Sequence, residues 1–179
     1  MRVAVFCSSS TLVENKYIDF AYDIGKAIAE QGWGLVWGGG QVSMMGAVSR
    51  GARSRGGETI GVIPQRLVDK EFEDDEATEM YVVPDMRVRK GKMDELSDAF
   101  IILPGGLGTF EEFFEIWVGR HLGFHHKPIT ICDPFNTYSA LKELIHQLKS
   151  LGFVYQSQED LINWCTDIPT AIDACKPVR

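Results

Sequence analysis

The stretch that decides the fold is residues 99–112, AFIILPGGLGTFEE. Its first five residues form an unbroken apolar run, as expected of a strand that is buried on both faces of a parallel sheet. Pro104 ends the ladder because it has no amide hydrogen to donate, and three glycines follow within the next four residues. From Phe110 to Trp117 the apolar residues recur at helical spacing. The stretch therefore predicts a strand, a glycine turn and a helix.

The glycine turn is suited to bind an anion. The first amides of a helix have no intrahelical acceptor and the helix dipole adds partial positive charge, so a phosphate fits there. Glycines also let the backbone approach a phosphate without interference from Cβ atoms. The alternative is a capping box, in which Thr109 and Glu112 satisfy helix amides reciprocally. Because capping explains these two side chains but not the glycines, we favour a phosphate-binding turn.

Apolar runs and helical stripes alternate along almost the whole chain, which predicts an α/β fold with a doubly wound parallel sheet of Rossmann type. We expect residues 1–179 to form a single nucleotide-binding domain, since this length suits one core. The tail from Gln158 is expected to hold one or two short helices. Buried strands are predicted at residues 2–6, 34–37, 59–63, 80–83, 99–103 and 129–132.

Three loops follow predicted strands at the sheet edge where ligands bind in this architecture. They are residues 8–10, 38–40 and 104–109. The glycines of the second loop nearly match a dinucleotide fingerprint, but the next strand ends at Pro64 and Gln65, where a ribose-binding acid would be expected. We therefore expect the three loops to converge on a ligand that is not a dinucleotide.

The bulk composition excludes several classes of function. A net charge of −7 argues against a duplex nucleic-acid binder, which needs a basic face. No apolar run approaches the roughly 20 residues of a membrane span, and Val3–Cys7 is too short for the core of a signal peptide. The four cysteines form no Cys-x-x-Cys pair, so reduced thiols are expected. We expect a cytoplasmic protein without nucleic-acid or membrane partners.

The charged clusters have competing interpretations. The basic residues at 87–92 precede the strand that leads into the glycine turn, so Arg89 could reach a ligand held there, although a solvated face is the commoner interpretation of a charge run. The acidic residues at 71–76 predict a solvated loop or helix end. His121 and His125 could share a helical face, but no carboxylate motif converges with them, so we expect no metal.

The motif Pro-Gly-Gly-x-Gly-Thr-x-x-Glu at residues 104–112 resembles the signature of the LONELY GUY (LOG) family, the cytokinin riboside 5′-monophosphate phosphoribohydrolases. The resemblance extends over residues 3–153 and includes residues 85–90 and 122–128. The family is sometimes labelled lysine decarboxylase-like, but no residues here mark a Schiff-base lysine. Four residues depart from the family pattern: Ser8 and Ser43 stand at glycine positions, Met44 stands where leucine is usual, and Arg87 stands at a histidine position.

The resemblance implies catalytic roles for Arg89 and Glu112. Glu111 and Glu115 are alternatives to Glu112, but only Glu112 matches the family's glutamate. The family also implies a homodimer or a higher homo-oligomer, and we expect no cofactor. Substrate-binding roles are implied for Ser8, Gly39, Met86, Lys90, Gly105, Gly106, Leu107, Gly108 and Thr109.

The implied reaction is hydrolysis of the N-glycosidic bond in an adenosine-type nucleoside 5′-monophosphate, which releases a free base and ribose 5-phosphate. The base is expected to be an N6-modified adenine, with AMP as a further candidate substrate. Glu112 would stabilise the positive charge that develops on the sugar, and Arg89 would offset the repulsion between Glu112 and the phosphate. The alternative is a non-catalytic nucleotide-binding protein similar to the molybdenum-cofactor carriers.

Overall fold

The computed structural model describes residues 1–68 and 74–176. Strands and helices alternate through this part of the chain, as the sequence predicts. The strands are β1 (Arg2–Phe6), β2 (Gly34–Trp37), β3 (Thr59–Pro64), β4 (Glu79–Val83), β5 (Ala99–Ile102), β6 (Ile129–Cys132) and β7 (Ile162–Cys165). The helices are α1 (Asn15–Glu30), α2 (Ser43–Arg53), α3 (Met86–Leu96), α4 (Leu107–His121), α5 (Ser139–Ser150), α6 (Gln156–Glu159) and α7 (Ile168–Ala174).

In the described residues the strands form one parallel sheet in the order β4-β3-β2-β1-β5-β6-β7. The central strand β1 pairs with β2 on one side and with β5 on the other, so that Val3 lies opposite both Leu35 and Ala99. The strand order reverses between β1 and β5. Ligands bind beyond the carboxyl ends of the strands at such a switch point. The predicted doubly wound α/β sheet is confirmed.

The sheet separates two hydrophobic cores, and alternate residues of each strand contribute to different cores. In β1, Val3 and Val5 pack into one core and Ala4 and Phe6 into the other. Helices α1, α2 and α7 cover the first core, whereas α3, α4 and α5 cover the second. Because both faces are covered, the central strands are buried on both sides, which explains their continuous apolar sequences.

The small residues of α2 let it lie directly against α1. A Cβ atom at Gly25 would overlap the carbonyl of Val48, and one at Gly51 would overlap the carbonyl of Tyr22. The close approach fixes α2, and therefore the loop that precedes it, against the sheet. Among residues 1–68 and 74–176, no helix has both the length and the apolar character needed to cross a membrane.

Two predictions were incomplete. The tail contains the edge strand β7 in addition to short helices, and its sequence Ile-Asn-Trp-Cys is too short and too polar to be recognised as a strand.

The interpretation of residues 71–76 as solvated is wrong for Asp74, which is buried and accepts hydrogen bonds from Arg53 at 2.7 Å and Ser49 at 2.8 Å. Glu71 and Glu73 lie outside the described residues, and Asp75 and Glu76 are exposed.

Candidate active site

A cavity of about 320 Å³, here called the first cavity, lies at the carboxyl edge of β1, β2 and β5. The loop after β1 contributes Ser8–Ser10, the loop after β2 contributes Gly38, and the start of α4 contributes Gly106–Thr109. The predicted convergence of the three loops is therefore confirmed. Arg89 from α3 and Glu112 from α4 complete its deeper wall.

Helix α4 begins earlier than the capping interpretation requires. Gly106 is the N-cap residue and offers no side-chain cap, and Thr109 is already the third helical residue. The capping-box alternative is therefore wrong. The amides without an intrahelical acceptor belong to Leu107, Gly108 and Thr109, and all three residues border the first cavity. The start of α4 can thus bind an anion in the cavity.

The glycines of the turn serve different purposes. A Cβ atom at Gly105 would overlap the hydroxyl of Thr109, so this glycine lets the Thr109 side chain fold back against the turn. A Cβ atom at Gly106 or Gly108 would meet no atom within 4 Å. Both residues line the first cavity, and a bare backbone there leaves the space open to a ligand. Gly105 supports the turn and does not itself line the cavity.

Arg89 is buried although it belongs to a basic cluster, so the solvated-face interpretation is wrong for this residue. Its Nε donates to the carbonyl of Val62 at 3.0 Å and its Nη2 donates to the carbonyl of Gly38 at 3.3 Å. Val62 belongs to the second half of β3 and Gly38 directly follows β2, so the guanidinium is held near the carboxyl ends of both strands. A Cβ atom at Gly38 would overlap Nη2, so any larger residue there would displace the guanidinium. The neighbouring Arg87 is exposed.

Glu112 faces Arg89 across the wall of the first cavity. Its Oε1 lies 3.7 Å from Arg89 Nη1, and the two side chains are 9% and 7% exposed. This distance is longer than a hydrogen bond but short enough for strong attraction between buried charges. Burial, followed by the charge of Glu112, raises the pKa of the Cys7 thiol on the cavity floor. Cys7 is therefore held as a neutral thiol rather than as a nucleophilic thiolate.

Lys90 lies apart from the first cavity. Its Nζ pairs with Glu111 at 2.8 Å and also contacts Glu115. Both glutamates are about half exposed, at 54% and 51%, whereas Glu112 is buried. The placement supports Glu112 over its two neighbours as the residue that acts on a ligand. Lys90 itself, predicted to bind substrate, lines a different cavity.

Of the remaining residues predicted to bind substrate, some line the first cavity and one only shapes a loop beside it. Ser8 and Met86 line the first cavity. The Ser8 hydroxyl accepts from the Ser10 amide at 3.1 Å, and the Met86 sulfur lies 3.7 Å from Arg89 Nη1. Gly39 has a φ of +81°, which glycine adopts without strain, and its backbone lies against Ile63. Gly39 shapes the loop, and Gly38 is the residue that lines the cavity.

Ser43 shows how one departure from the family pattern is accommodated. It has a φ of +52°, a left-handed conformation that favours the glycine usual at this position. Its hydroxyl donates to the carbonyl of Ser10 at 2.6 Å. The serine therefore keeps the glycine-like backbone path and ties the loop after β2 to the loop after β1.

A second cavity of about 510 Å³ adjoins the first and shares Phe6 and Glu112 with it. Its wall is largely apolar and includes Phe114, Val118 and Phe124. Sequence reasoning missed this cavity because its lining comes from three separate elements. Only the exposure of apolar residues on one side of α4 could have indicated it, and exposure is not visible in a sequence.

His125, at the rim of the second cavity, is a structural residue. Its Nδ1 accepts from the Lys127 amide at 3.2 Å, so Nε2 carries the proton and donates to the Ile116 carbonyl at 2.9 Å. Burial lowers the pKa of His125, which favours this neutral form. Within residues 1–68 and 74–176, no group of three or more His, Cys, Asp or Glu side chains could hold a metal ion.

Comparison with known proteins gives related sequences of nearly full length. A family model described as possible lysine decarboxylase matches residues 45–175. The cytokinin riboside 5′-monophosphate phosphoribohydrolase of Mycobacterium tuberculosis is 42% identical over 98% of this chain and 93% of its own length. The cytokinin riboside 5′-monophosphate phosphoribohydrolase LOG3 of Arabidopsis thaliana is 36% identical over 99% of this chain and 81% of its own length.

Solved structures with the same fold are more distant in sequence. The molybdenum cofactor binding protein of Rippkaea orientalis has a TM-score of 0.71 at 21% identity and covers 96% of this chain and 93% of its own. The Moco carrier protein of Chlamydomonas reinhardtii has a TM-score of 0.72 at 22% identity, with coverage of 97% and 93%. At such identities the likeness establishes the fold alone. The sequence relatives decide the family: this chain belongs to the LONELY GUY family of cytokinin riboside 5′-monophosphate phosphoribohydrolases.

Proposed function

We propose that this protein hydrolyses the N-glycosidic bond of an N6-modified adenosine 5′-monophosphate and releases the free base and ribose 5-phosphate. The observation that carries the proposal is the buried pair of Arg89 and Glu112 beside the amides that open α4, all within one cavity. The relatives from Mycobacterium tuberculosis and Arabidopsis thaliana carry the name of this activity.

The phosphate is proposed to bind at the start of α4. The amides of Leu107, Gly108 and Thr109 are donors without intrahelical acceptors, and the helix dipole adds positive charge. The Thr109 hydroxyl, folded against Gly105, supplies a further donor. Held there, the phosphate fixes the position of the ribose, and this binding energy orients the bond to be cut.

Glu112 is proposed to act on the ribose one helical turn further along α4. Cleavage of the N-glycosidic bond leaves positive charge on the sugar, and a buried carboxylate stabilises that charge more strongly than water does. The same carboxylate can accept a proton from the attacking water, whose oxygen forms the new bond to the anomeric carbon as the base departs. General-base assistance of this kind contributes about 10²–10⁴-fold to the rate.

Arg89 is proposed to hold Glu112 in place. A carboxylate near a phosphate dianion is electrostatically unfavourable, and the fixed positive charge of Arg89 at 3.7 Å from Glu112 offsets that repulsion. Because two of its donors are already bound to the carbonyls of Val62 and Gly38, the guanidinium cannot turn away. The pair is therefore set before substrate binds.

The apolar second cavity supports a base with a hydrophobic N6 substituent, since it adjoins the first cavity and shares Phe6 and Glu112 with it. The decarboxylase description has no such support. A decarboxylase that uses pyridoxal phosphate needs a lysine for the Schiff base, and no lysine is among the described residues that line the first cavity. The carrier alternative is not favoured either, because the carriers share only the fold, at 21–22% identity.

The proposal is tested by incubating the purified protein with isopentenyladenosine monophosphate, AMP and isopentenyladenosine, and by measuring free base by chromatography. We expect base release from the monophosphates and a far lower rate from the riboside, because the riboside lacks the group that anchors it. Equal turnover of isopentenyladenosine and its monophosphate would contradict the phosphate-anchored mechanism. Nucleotide binding without base release would favour the carrier alternative.

We also propose that the protein forms a homodimer or a higher homo-oligomer. Apolar side chains on the outer side and at the end of α4 are exposed, among them Phe114 at 40%, Val118 at 52% and Phe124 at 80%. Exposed apolar groups that cluster in this way are typical of protein interfaces. Light scattering after size exclusion measures the assembly, and a monomeric mass would contradict this proposal. The cytoplasmic location remains a prediction from the sequence.

A further inference from the structure

A tyrosine that does not line the first cavity is hydrogen-bonded to the backbone of the glycine turn. The Tyr138 hydroxyl lies 2.9 Å from the carbonyl oxygen of Leu103 and 3.3 Å from that of Gly105, so its single proton is shared between the two. Tyr138 is 3% exposed and is not among the residues that line the first cavity. It therefore contacts the backbone of the turn without reaching the space that a substrate would occupy.

The turn is built from residues that fix their own conformation poorly. Glycine has more backbone freedom to lose on ordering than any other residue, and a Cβ atom at Gly106 or Gly108 would meet no neighbouring atom. If the turn had to be ordered by the ligand, part of the binding energy would be lost to that ordering. Contacts that hold the backbone beforehand therefore strengthen binding.

Tyr138 is itself held firmly. The carboxylate of Asp133, at the end of β6, accepts the Tyr138 amide at 2.7 Å and the Phe135 amide at 3.3 Å. The Tyr138 ring packs against that of Phe110 in α4, with centroids 5.3 Å apart. The side chain thus connects the end of β6 to the turn after β5 and to the first residues of α4.

The phenol stays a hydrogen-bond donor at every pH suitable for assay. Burial raises the pKa of Tyr138 and outweighs the opposite effect of the hydrogen bond to Gly105. A phenolate could not donate to the carbonyls of Leu103 and Gly105, and its charge would be left unpaired in the interior.

We propose that Tyr138 is a positioning residue for phosphate recognition, because its hydroxyl holds the turn so that the amides of Leu107, Gly108 and Thr109 face the cavity before substrate arrives. The proposal rests on the proposed function and assigns a further residue to the same site. Since Tyr138 does not touch the substrate, loss of the hydroxyl should weaken binding through the phosphate and leave the chemical step nearly unchanged.

The test compares Tyr138→Phe with Tyr17→Phe. The Tyr17 hydroxyl accepts from Thr137 at 3.3 Å and its ring packs on Phe135, so the control loses a hydroxyl in the same region that does not reach the turn. Calorimetry measures the Kd of ribose 5-phosphate, and steady-state assays with AMP give KM and kcat. For Tyr138→Phe we expect Kd and KM to rise about three- to tenfold, the value of one hydrogen bond, with kcat nearly unchanged.

The control should match the wild type in all three quantities. A Tyr138→Phe protein with unchanged Kd and a lower melting temperature would overturn the proposal and leave Tyr138 a purely structural residue. If Tyr138→Phe does not fold, Asp133→Asn decides, because it disturbs the acceptor of the Tyr138 amide: weaker ribose 5-phosphate binding supports the proposal, and unchanged binding overturns it. The Kd comparison needs no turnover, so it stands even if the wild type releases no base and the proposed function fails.

Discussion

Helices α3 and α4 are joined by two groups of ion pairs that differ in burial, distance and proposed role. In the first, Arg89 and Glu112 are both buried and their charged atoms stand 3.7 Å apart. In the second, Lys90 contacts Glu111 at 2.8 Å and also Glu115, and both glutamates are about half exposed. The basic partners are consecutive in sequence, but on a helix consecutive residues point about 100° apart, so they face different cavities.

The shorter contacts are thus found in the group to which we assign no part in the reaction. Lys90 is only 13% exposed, but its two partners are about half exposed, and water and salt weaken ion pairs that reach the surface. The buried pair is looser, and the Arg89 guanidinium uses its best hydrogen bonds on the carbonyls of Val62 and Gly38 rather than on Glu112. We infer that the loose buried pair serves the chemistry of the first cavity, whereas the contacts of Lys90 with Glu111 and Glu115 hold the two helices together.

The largest effect is expected from Glu112→Gln, which removes the negative charge and keeps the shape. The turnover number for AMP should fall by about 10²–10⁴-fold, because both charge stabilisation and proton acceptance are lost. Binding of ribose 5-phosphate, measured by calorimetry, should change by no more than a few-fold. Glu111→Gln is the matched control and should keep its activity. A Glu112→Gln protein with wild-type turnover would remove Glu112 from the mechanism.

Arg89→Lys should have the next largest effect. Lysine keeps the charge, but it lacks the planar fork that reaches two backbone carbonyls at once. The ammonium would then be free to move toward Glu112 or the phosphate, and we expect kcat with AMP to fall by about 10²-fold. Steady-state kinetics against the wild type measure this change. If Arg89→Lys kept full kcat, charge alone would suffice and the two carbonyl bonds would be incidental.

A smaller effect is expected from Gly38→Ala, which breaks the buried pair indirectly. The added methyl group would overlap Arg89 Nη2, so the guanidinium must shift, and we expect kcat to fall by about tenfold. Gly91→Ala on α3 is the control, because a Cβ atom there would meet no neighbouring atom. Both variants are assayed with AMP and checked by thermal unfolding. Equal activities of the two variants would show that the position of Arg89 is not critical.

Lys90→Met should have the smallest effect. The substitution removes the contacts with Glu111 and Glu115 and keeps much of the apolar stem, so the free energy of unfolding should fall by no more than about 1 kcal/mol. In 1 M salt the difference from the wild type should shrink further. Urea unfolding at two salt concentrations measures both. A loss of AMP turnover comparable to that of Arg89→Lys would instead support the sequence prediction that Lys90 binds substrate.

The parts of the site that lie in one continuous stretch could be predicted from sequence. Strand β5, the glycine turn and Glu112 follow one another within fourteen residues, so the residue types and their spacing along the chain together predict how they are arranged. The start of α4 was misplaced by the capping interpretation, because Thr109 and Glu112 match a capping box at the level of residue types. The structure places Gly106 at the N-cap, which leaves the Thr109 amide available to a ligand.

The parts that depend on distant contacts could not be predicted from the residues alone. Arg89 is buried because its guanidinium donates to two carbonyls from distant parts of the chain. The charge run alone favoured a solvated face for this residue, and only the family resemblance predicted that it lies in the site. Tyr138 and the turn it braces are separated by the whole of α4 and β6. Which of Gly38 and Gly39 lines the first cavity likewise depends on the position of Arg89, and the local sequence does not predict that position.

The position of β1 between β2 and β5 has a consequence for synthesis of the chain on the ribosome. One edge of β1 can pair as soon as β2 emerges, but the other stays open until β5 has been translated, more than 90 residues after β1 begins. An unpaired apolar strand edge is a site for aggregation in nascent proteins. The first cavity spans β1, β2 and the turn after β5. A chain truncated before Gly106 would carry Ser8 and Arg89 but would lack the amides that we propose bind phosphate, so under the proposed function nucleotide would stabilise the fold only after the start of α4 has been translated.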